Sequence, residues 1–214
     1  MSEREHYKRF ENVIKQRLEE FSSLDWEARF KEFVFCLLTP QSNAKRCWEA
    51  VELIFAHEQF PNLSIEELER ILSTRTRFHR TKARNVLRAI KKWDKIKERI
   101  ELSEAKLKDQ GARRSEEVVE LRDWLASNVK GMGMKEASHF LRNIGLSRNS
   151  IAILDRHILR NLLARKVVSS DRIKSAKHYK EIEEEFLEFS SQLGFLPDEL
   201  DLVYWSKETG EVFK

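Results

Sequence analysis

The sequence predicts an all-α protein: two helical lobes with a cleft between them, lined by a helix–hairpin–helix motif. Three observations support this. Apolar residues recur at helical spacing in almost every segment of the 214-residue chain. Only 6 glycines and 3 prolines are present, which favours long helices joined by short loops. No segment alternates with strand period over a useful length; Ile151-Ala152-Ile153-Leu154 is at most a short extended piece.

The length suffices for one large domain or two small ones with a real core. The expected division is discontinuous. Residues 1–30 with 146–214 form one lobe, and 31–145, which holds the hairpin, form the other.

The first helix is expected over 3–21, charged and amphipathic. The second, 25–38, is strongly apolar, with Phe30, Phe33, Val34, Phe35, Leu37 and Leu38 crowded together. Pro40 ends it, because proline disfavours helical backbone at the residue before it. Asn43 caps the third, which runs to about 56. After Pro61 and Asn62, Ser64 and Glu67 have capping-box spacing and open a helix over about 65–72. Further helices are expected at 80–98, 101–109 and 115–129. The next, 134–144, is closed by Gly145. Asp155 opens one to about 165, and the last two span about 176–192 and 198–206.

Charge and cysteine content narrow the function. Net charge is only +4, yet between Arg75 and Arg99 eleven Lys or Arg stand against two acids, Asp94 and Glu98. That local excess suits phosphate contact, with Arg75, Arg77, Arg80 and Lys82 crowded at one turn. The alternative is a solvated helix face balanced by Glu66, Glu67 and Glu69. Two cysteines, Cys36 and Cys47, cannot supply a four-thiolate cluster or zinc site. They read as buried free thiols of a reducing cytoplasm. The N-terminus, Met1-Ser2-Glu3-Arg4-Glu5, is too charged for a signal peptide. No apolar run reaches the ~18–20 residues that a membrane span needs. A cytoplasmic monomer with no membrane partner is expected.

Lys130-Gly131-Met132-Gly133-Met134-Lys135 is the most informative stretch. Glycines at 131 and 133 permit positive φ and leave no Cβ over the turn. The hairpin N–H groups and the following helix N-terminus can then hold a phosphate. Such hairpins also occur in proteins that merely grip DNA, with the lysine as a phosphate contact. Two features favour catalysis. Lys135 falls in the first turn of the helix starting near Met134. The positive helix end disfavours an ammonium there, and partial burial acts in the same direction. Both favour the neutral amine, which is the nucleophile. Asp155 stands where a later helix begins, and a capping role would fix its carboxylate in place.

Lys130-Gly131-Met132-Gly133-Met134-Lys135-Glu136-Ala137, followed by Ile153-Leu154-Asp155-Arg156-His157, resembles the helix–hairpin–helix DNA glycosylase superfamily. Within it, the run Gly133-Met134-Lys135-Glu136-Ala137-Ser138-His139-Phe140-Leu141-Arg142-Asn143-Ile144-Gly145 is similar to the compact 8-oxoguanine DNA glycosylase/AP lyase branch of archaea and thermophilic bacteria. The resemblance extends to Leu38-Thr39-Pro40-Gln41-Ser42-Asn43, to Arg77-Phe78-His79-Arg80-x-Lys82-Ala83 and to Trp205-x-x-Glu208-Thr209-Gly210. It covers nearly the whole chain.

The resemblance implies a role for each matching position. Lys135 attacks the anomeric carbon of the sugar and expels the damaged base. A Schiff base forms, and β-elimination nicks the strand. Asp155 stabilises cationic character on the sugar. The base must first leave the duplex, and Gln41 fills the gap. Trp205 supplies a stacking platform. Lys214 enters the recognition site, where a terminal carboxylate accepts from the N7–H that 8-oxoguanine has and guanine lacks. His139, one turn after Lys135, borders the base pocket or the core. Gly131, Gly133, Arg80 and Lys82 meet the DNA backbone. The partner is double-stranded DNA holding a damaged base. No cofactor is required, and a monovalent cation can sit on hairpin carbonyls.

Two departures stand out. Better-known relatives carry an N-terminal β-sheet domain, whereas this chain opens with helices, so base recognition is expected to be built differently. The four clustered cysteines of the endonuclease III relatives are absent. Two alternatives remain at this point. One is a non-catalytic helix–hairpin–helix DNA-binding module. The other is a glycosylase for a different oxidised base.

Overall fold

A computed structural model describes residues 2–108 and 115–214. Ten helices form among them: α1 (Glu3–Ser22), α2 (Trp26–Leu38), α3 (Ala44–Phe55), α4 (Ile65–Ser73) and α5 (His79–Lys108), then α6 (Glu116–Asn128), α7 (Met134–Asn143), α8 (Arg156–Ala164), α9 (Ala176–Leu193) and α10 (Pro197–Thr209). No strand occurs among the described residues. No helix there is long and apolar enough to cross a membrane.

The start signals act as the sequence implies. Asn43 accepts from the Arg46 N–H at 3.1 Å. Ser64 and Glu67 close a reciprocal capping box. Gly145, at φ +70°, turns the chain after α7, and a Cβ there would lie 2.5 Å from Ser22 Cα. Only glycine lets the ends of α1 and α7 approach so closely.

One expectation fails in the middle of the chain. The helices expected at 80–98 and 101–109 are a single helix, α5, to Lys108; position 109 lies outside the described residues. Ile96, Ile100, Ser103 and Leu107 continue one buried stripe across the expected break, and no Gly or Pro interrupts it. The last helix also runs further, to Thr209, and stops at Gly210, where φ is +83°.

Two hydrophobic cores organise the molecule. The first gathers α2 to α7 around α2, whose Phe33, Val34, Phe35, Cys36, Leu37 and Leu38 are all buried. Six consecutive buried apolar residues cover every face of this half of α2 and place it at the centre of its bundle. Phe30 stacks on Trp93 at 4.2 Å, and Phe33 meets Phe140 edge-on at 5.1 Å. The second core joins α8, α9 and α10 with Ile14 of α1. Helix α7 serves both, since Phe140 lies in the first core and Met134 packs on the second.

A buried polar tie crosses between the cores. The Arg122 guanidinium of α6 grips the Glu183 carboxylate of α9 with two bonds, of 2.8 and 3.1 Å. Glu183 also accepts from the Ala152 N–H at 2.8 Å. The Tyr179 hydroxyl donates to the Ala152 carbonyl at 2.6 Å and accepts from the Leu154 N–H at 3.3 Å. These bonds satisfy the Ala152 N–H and carbonyl and the Leu154 N–H of the extended piece 151–154, which otherwise would be unpaired in the interior. That piece delivers Asp155.

Candidate active site

Helix α7 carries Lys135, His139 and Arg142 at spacings of four and three, so the three share one face. They line a cavity of about 1020 Å³. Gln41, Asp155, Trp205 and Lys214 line the same cavity. The chain thus brings together, from five separate segments, residues up to 173 positions apart in sequence (Gln41 and Lys214).

The hairpin before α7 is set by its glycines in different ways. Gly131 adopts φ +92°, and a Cβ there would lie 2.2 Å from Asn85 Nδ2 on α5. Gly133 departs from the expected positive φ: its value is −93°, which any residue adopts. Its service is as the N-cap of α7, with its N–H donating to Glu136 Oε2 at 3.1 Å.

Lys135 keeps a quarter of its side chain exposed (25%), enough for the amine to meet a ligand in the cavity. Its Nζ lies 2.8 Å from Glu136 Oε1. Glu136 therefore bridges the hairpin cap and the lysine, a role the sequence reading missed. The capping spacing from Gly133 to Glu136 was the available signal.

Asp155 caps α8, as its position implied. Its Oδ1 accepts from the His157 and Ile158 N–H groups, each at 2.8 Å. Oδ2 takes no part in the cap. His157 packs edge-on against Trp205 at 5.6 Å between ring centres. The buried Trp205 indole N–H has no protein acceptor.

His139 is buried in the cavity wall with Nε2 unpartnered. Burial, then the charges of Arg142, Lys135 and Lys214, hold its pKa well below the usual histidine value. It stays a neutral imidazole. Beside it, Arg142 Nη2 lies 3.1 Å from Asp201 Oδ2. Burial pushes Asp201 up to about 7; Arg142 pulls it down and the Asp155 charge pushes it up. The sequence reading gave neither Arg142 nor Asp201 a role, although Arg142 follows Lys135 at helical spacing.

Lys214 is tied down by its side chain. The ammonium pairs with Glu32 of α2 and sits 3.5 Å from the Trp48 ring centre. Glu32 also accepts from Asn143 Nδ2 at 2.8 Å, so this buried carboxylate is doubly satisfied.

The residues assigned to the DNA backbone separate. Arg80 is exposed, 3.8 Å from Glu69 Oε2, and remains available to a phosphate. Lys82 is not available. Its ammonium is buried and donates to Leu38 O, Pro40 O and Ser42 Oγ at 2.7, 2.8 and 2.8 Å. Lys82 turns inward because α5 presents Lys82, Ala83 and Val86 to the core. Phe78, by contrast, is 56% exposed beside that turn. Among the described residues, no three His, Cys, Asp or Glu side chains converge as a metal site would.

Comparison with known proteins agrees with this architecture. The family model described as 8-oxoguanine DNA glycosylase, of the helix–hairpin–helix type, matches residues 14–195. A protein of Fusobacterium nucleatum named 8-oxoguanine DNA glycosylase/AP lyase is 38% identical, over 97% of this chain and 94% of its own length. The crystal structure of the Methanocaldococcus jannaschii 8-oxoguanine DNA glycosylase superposes with a TM-score of 0.82 at 32% identity, covering 99% of this chain and 95% of that one. A second structure of that organism's enzyme, in complex with a 15mer DNA containing 8-oxoguanine, gives 0.80 at 31% identity and covers 98% of each chain. The chain belongs to the 8-oxoguanine DNA glycosylase family of helix–hairpin–helix proteins.

Proposed function

We propose that this protein is a bifunctional DNA glycosylase and AP lyase that removes 8-oxoguanine from duplex DNA. One observation carries the reading: the lysine of the hairpin helix and a capped aspartate line a single cavity large enough for an extrahelical nucleotide. A relative solved with DNA containing 8-oxoguanine, similar along almost its whole length, supports the substrate.

The groups fit the chemistry. Lys135 must leave its pair with Glu136 and give up a proton before it attacks, and Glu136 is the carboxylate within reach. The amine bonds to the anomeric carbon as the bond to the base breaks, and the electrons leave with the base. Asp155, held by its cap, faces the cationic sugar with fixed negative charge. Opening of the sugar ring gives the Schiff base. Loss of a proton from the adjacent carbon then expels the phosphate on the 3′ side and nicks the strand.

Around this centre, Gln41 enters the gap in the duplex, Trp205 stacks on the base and Lys214 with His139 borders the recognition pocket. Gly131, Gly133 and Arg80 face the backbone. The enzyme needs no cofactor and acts as a monomer in the cytoplasm; its buried free thiols suit a reducing compartment. A monovalent cation at the hairpin belongs to the same proposal. Val129 O and Gly133 O already accept from Met132 N and Ala137 N, at 3.1 and 2.9 Å. Carbonyls of the hairpin would hold the ion, which would supply positive charge near a phosphate and stay outside the chemistry.

Duplexes bearing 8-oxoguanine, oxidised pyrimidines and other damaged purines, each treated with enzyme and scored for base release, test the substrate. Release of 8-oxoguanine in preference to the others supports the assignment. Preference for another lesion replaces it with that base, and release from none leaves only DNA binding.

A further inference from the structure

Gln41 holds a backbone φ of +54°, in the left-handed region that a glutamine rarely adopts. Such a conformation persists only where its surroundings impose it. Here the surroundings centre on one buried cation. Lys82, in the first turn of α5, is 4% exposed. Its Nζ donates to Leu38 O, Pro40 O and Ser42 Oγ at 2.7, 2.8 and 2.8 Å. An ammonium has three donors, and all three go to the last residue of α2 and the loop after it, which carries Gln41. The acceptors bracket that residue on both sides. Ser42 Oγ also accepts from the Arg77 N–H at 2.9 Å, which ties the same loop to the turn before α5.

None of the three acceptors is a carboxylate, so every hydrogen bond to this buried charge comes from a neutral dipole. That arrangement is expensive, and the positive end of α5 makes it more so. A leucine or methionine would fill the same space without the penalty. What only the ammonium supplies is three fixed points on the loop.

We propose that Lys82 is a positioning residue for duplex opening: it holds the 38–42 loop in the shape that keeps Gln41 projected at the cavity mouth. The proposal rests on the reading above, in which Gln41 enters the gap left by the flipped base. It gives the buried lysine a task that phosphate contact cannot.

Single-turnover rates on two duplexes test it. One carries paired 8-oxoguanine and is scored for base release. The other carries a preformed abasic site and is scored for nicking, where no base has to leave the stack. Lys82→Met is expected to slow base release by roughly tenfold to a hundredfold while nicking stays within about twofold. Gln41→Ala is expected to slow base release too, and the double variant to release base no more slowly than the slower single one. Ser42→Ala, which removes one of the three acceptors, is expected to give a smaller loss of the same kind and serves if Lys82→Met does not fold.

Equal slowing of both reactions would reduce Lys82 to a folding role and overturn the proposal. So would an unchanged rate of base release in Lys82→Met, or losses that multiply in the double variant. Absence of both reactions in the wild-type protein would instead sink the enzymatic reading itself.

Discussion

Lys135 and Asp155 are both set in place by their neighbours. Its amine is held by Glu136 within the first turn of α7, and Asp155 is held by two backbone N–H groups of α8. Asparagine caps a helix about as well as aspartate. Asp155→Asn is therefore expected to change unfolding free energy by less than about 0.5 kcal/mol. Loss of the charge should slow base release by about a hundredfold or more. Comparable losses of stability and rate, followed by thermal unfolding and single-turnover kinetics, would make Asp155 a structural cap only.

His139 gives a pH signature. Its buried imidazole stays neutral in the folded protein, whereas the unfolded chain takes up that proton below pH ~6.5. The unfolded state then binds more protons, so this group lowers stability as pH falls through that range. His139→Gln removes the effect. The stability of the wild type relative to the variant should fall by about 1.4 kcal/mol per pH unit below pH ~6, measured by denaturant unfolding. Equal pH slopes would contradict the buried neutral state.

At the scale of elements, the hairpin depends on the close approach of Gly131 to Asn85 of α5. Gly131→Ala combines a left-handed backbone with a Cβ 2.2 Å from Asn85 Nδ2. It is expected to cost more than about 1 kcal/mol and to weaken DNA binding, both measurable by unfolding and titration. A variant as stable as the wild type would show that the hairpin does not rest on α5.

Most elements were legible in the sequence because their signals are local. Ser64 with Glu67, Asn43 and Gly145 each marked an end by chemistry that acts within four residues. The continuity of α5 was less visible, because a charged surface hides the buried stripe through Ile96, Ile100 and Leu107. The site was legible in part. Lys135, Asp155 and Gln41 stood out through helix ends, the turn and family resemblance. Arg142 and Asp201 did not, since their pairing joins α7 to α10 across 59 positions, and no local pattern announces it. Lys82 was misread for a related reason. A lysine in a basic turn looks solvated until the fold turns it inward.

Across the whole molecule, two cores are joined by α7, by the Arg122–Glu183 pair and by the final residues. Val212 packs in the second core, Phe213 against the first, and Lys214 reaches Glu32 of α2. The tail thus closes one wall of the cavity by spanning both cores. Removing Lys214 leaves Glu32 buried without its cation, which costs about 3 kcal/mol or more. The preference for 8-oxoguanine over guanine should fall more than affinity for DNA. Unchanged stability together with unchanged preference would contradict this account of the tail.

The central claim is that the Lys135 amine becomes bonded to the deoxyribose of a damaged nucleotide. Borohydride reduction during turnover on an 8-oxoguanine duplex should trap a covalent protein–DNA adduct, and peptide mapping should place it on Lys135. Lys135→Gln should give no adduct, no base release and no nicking. An adduct at another residue, or base release that survives in Lys135→Gln, would contradict it.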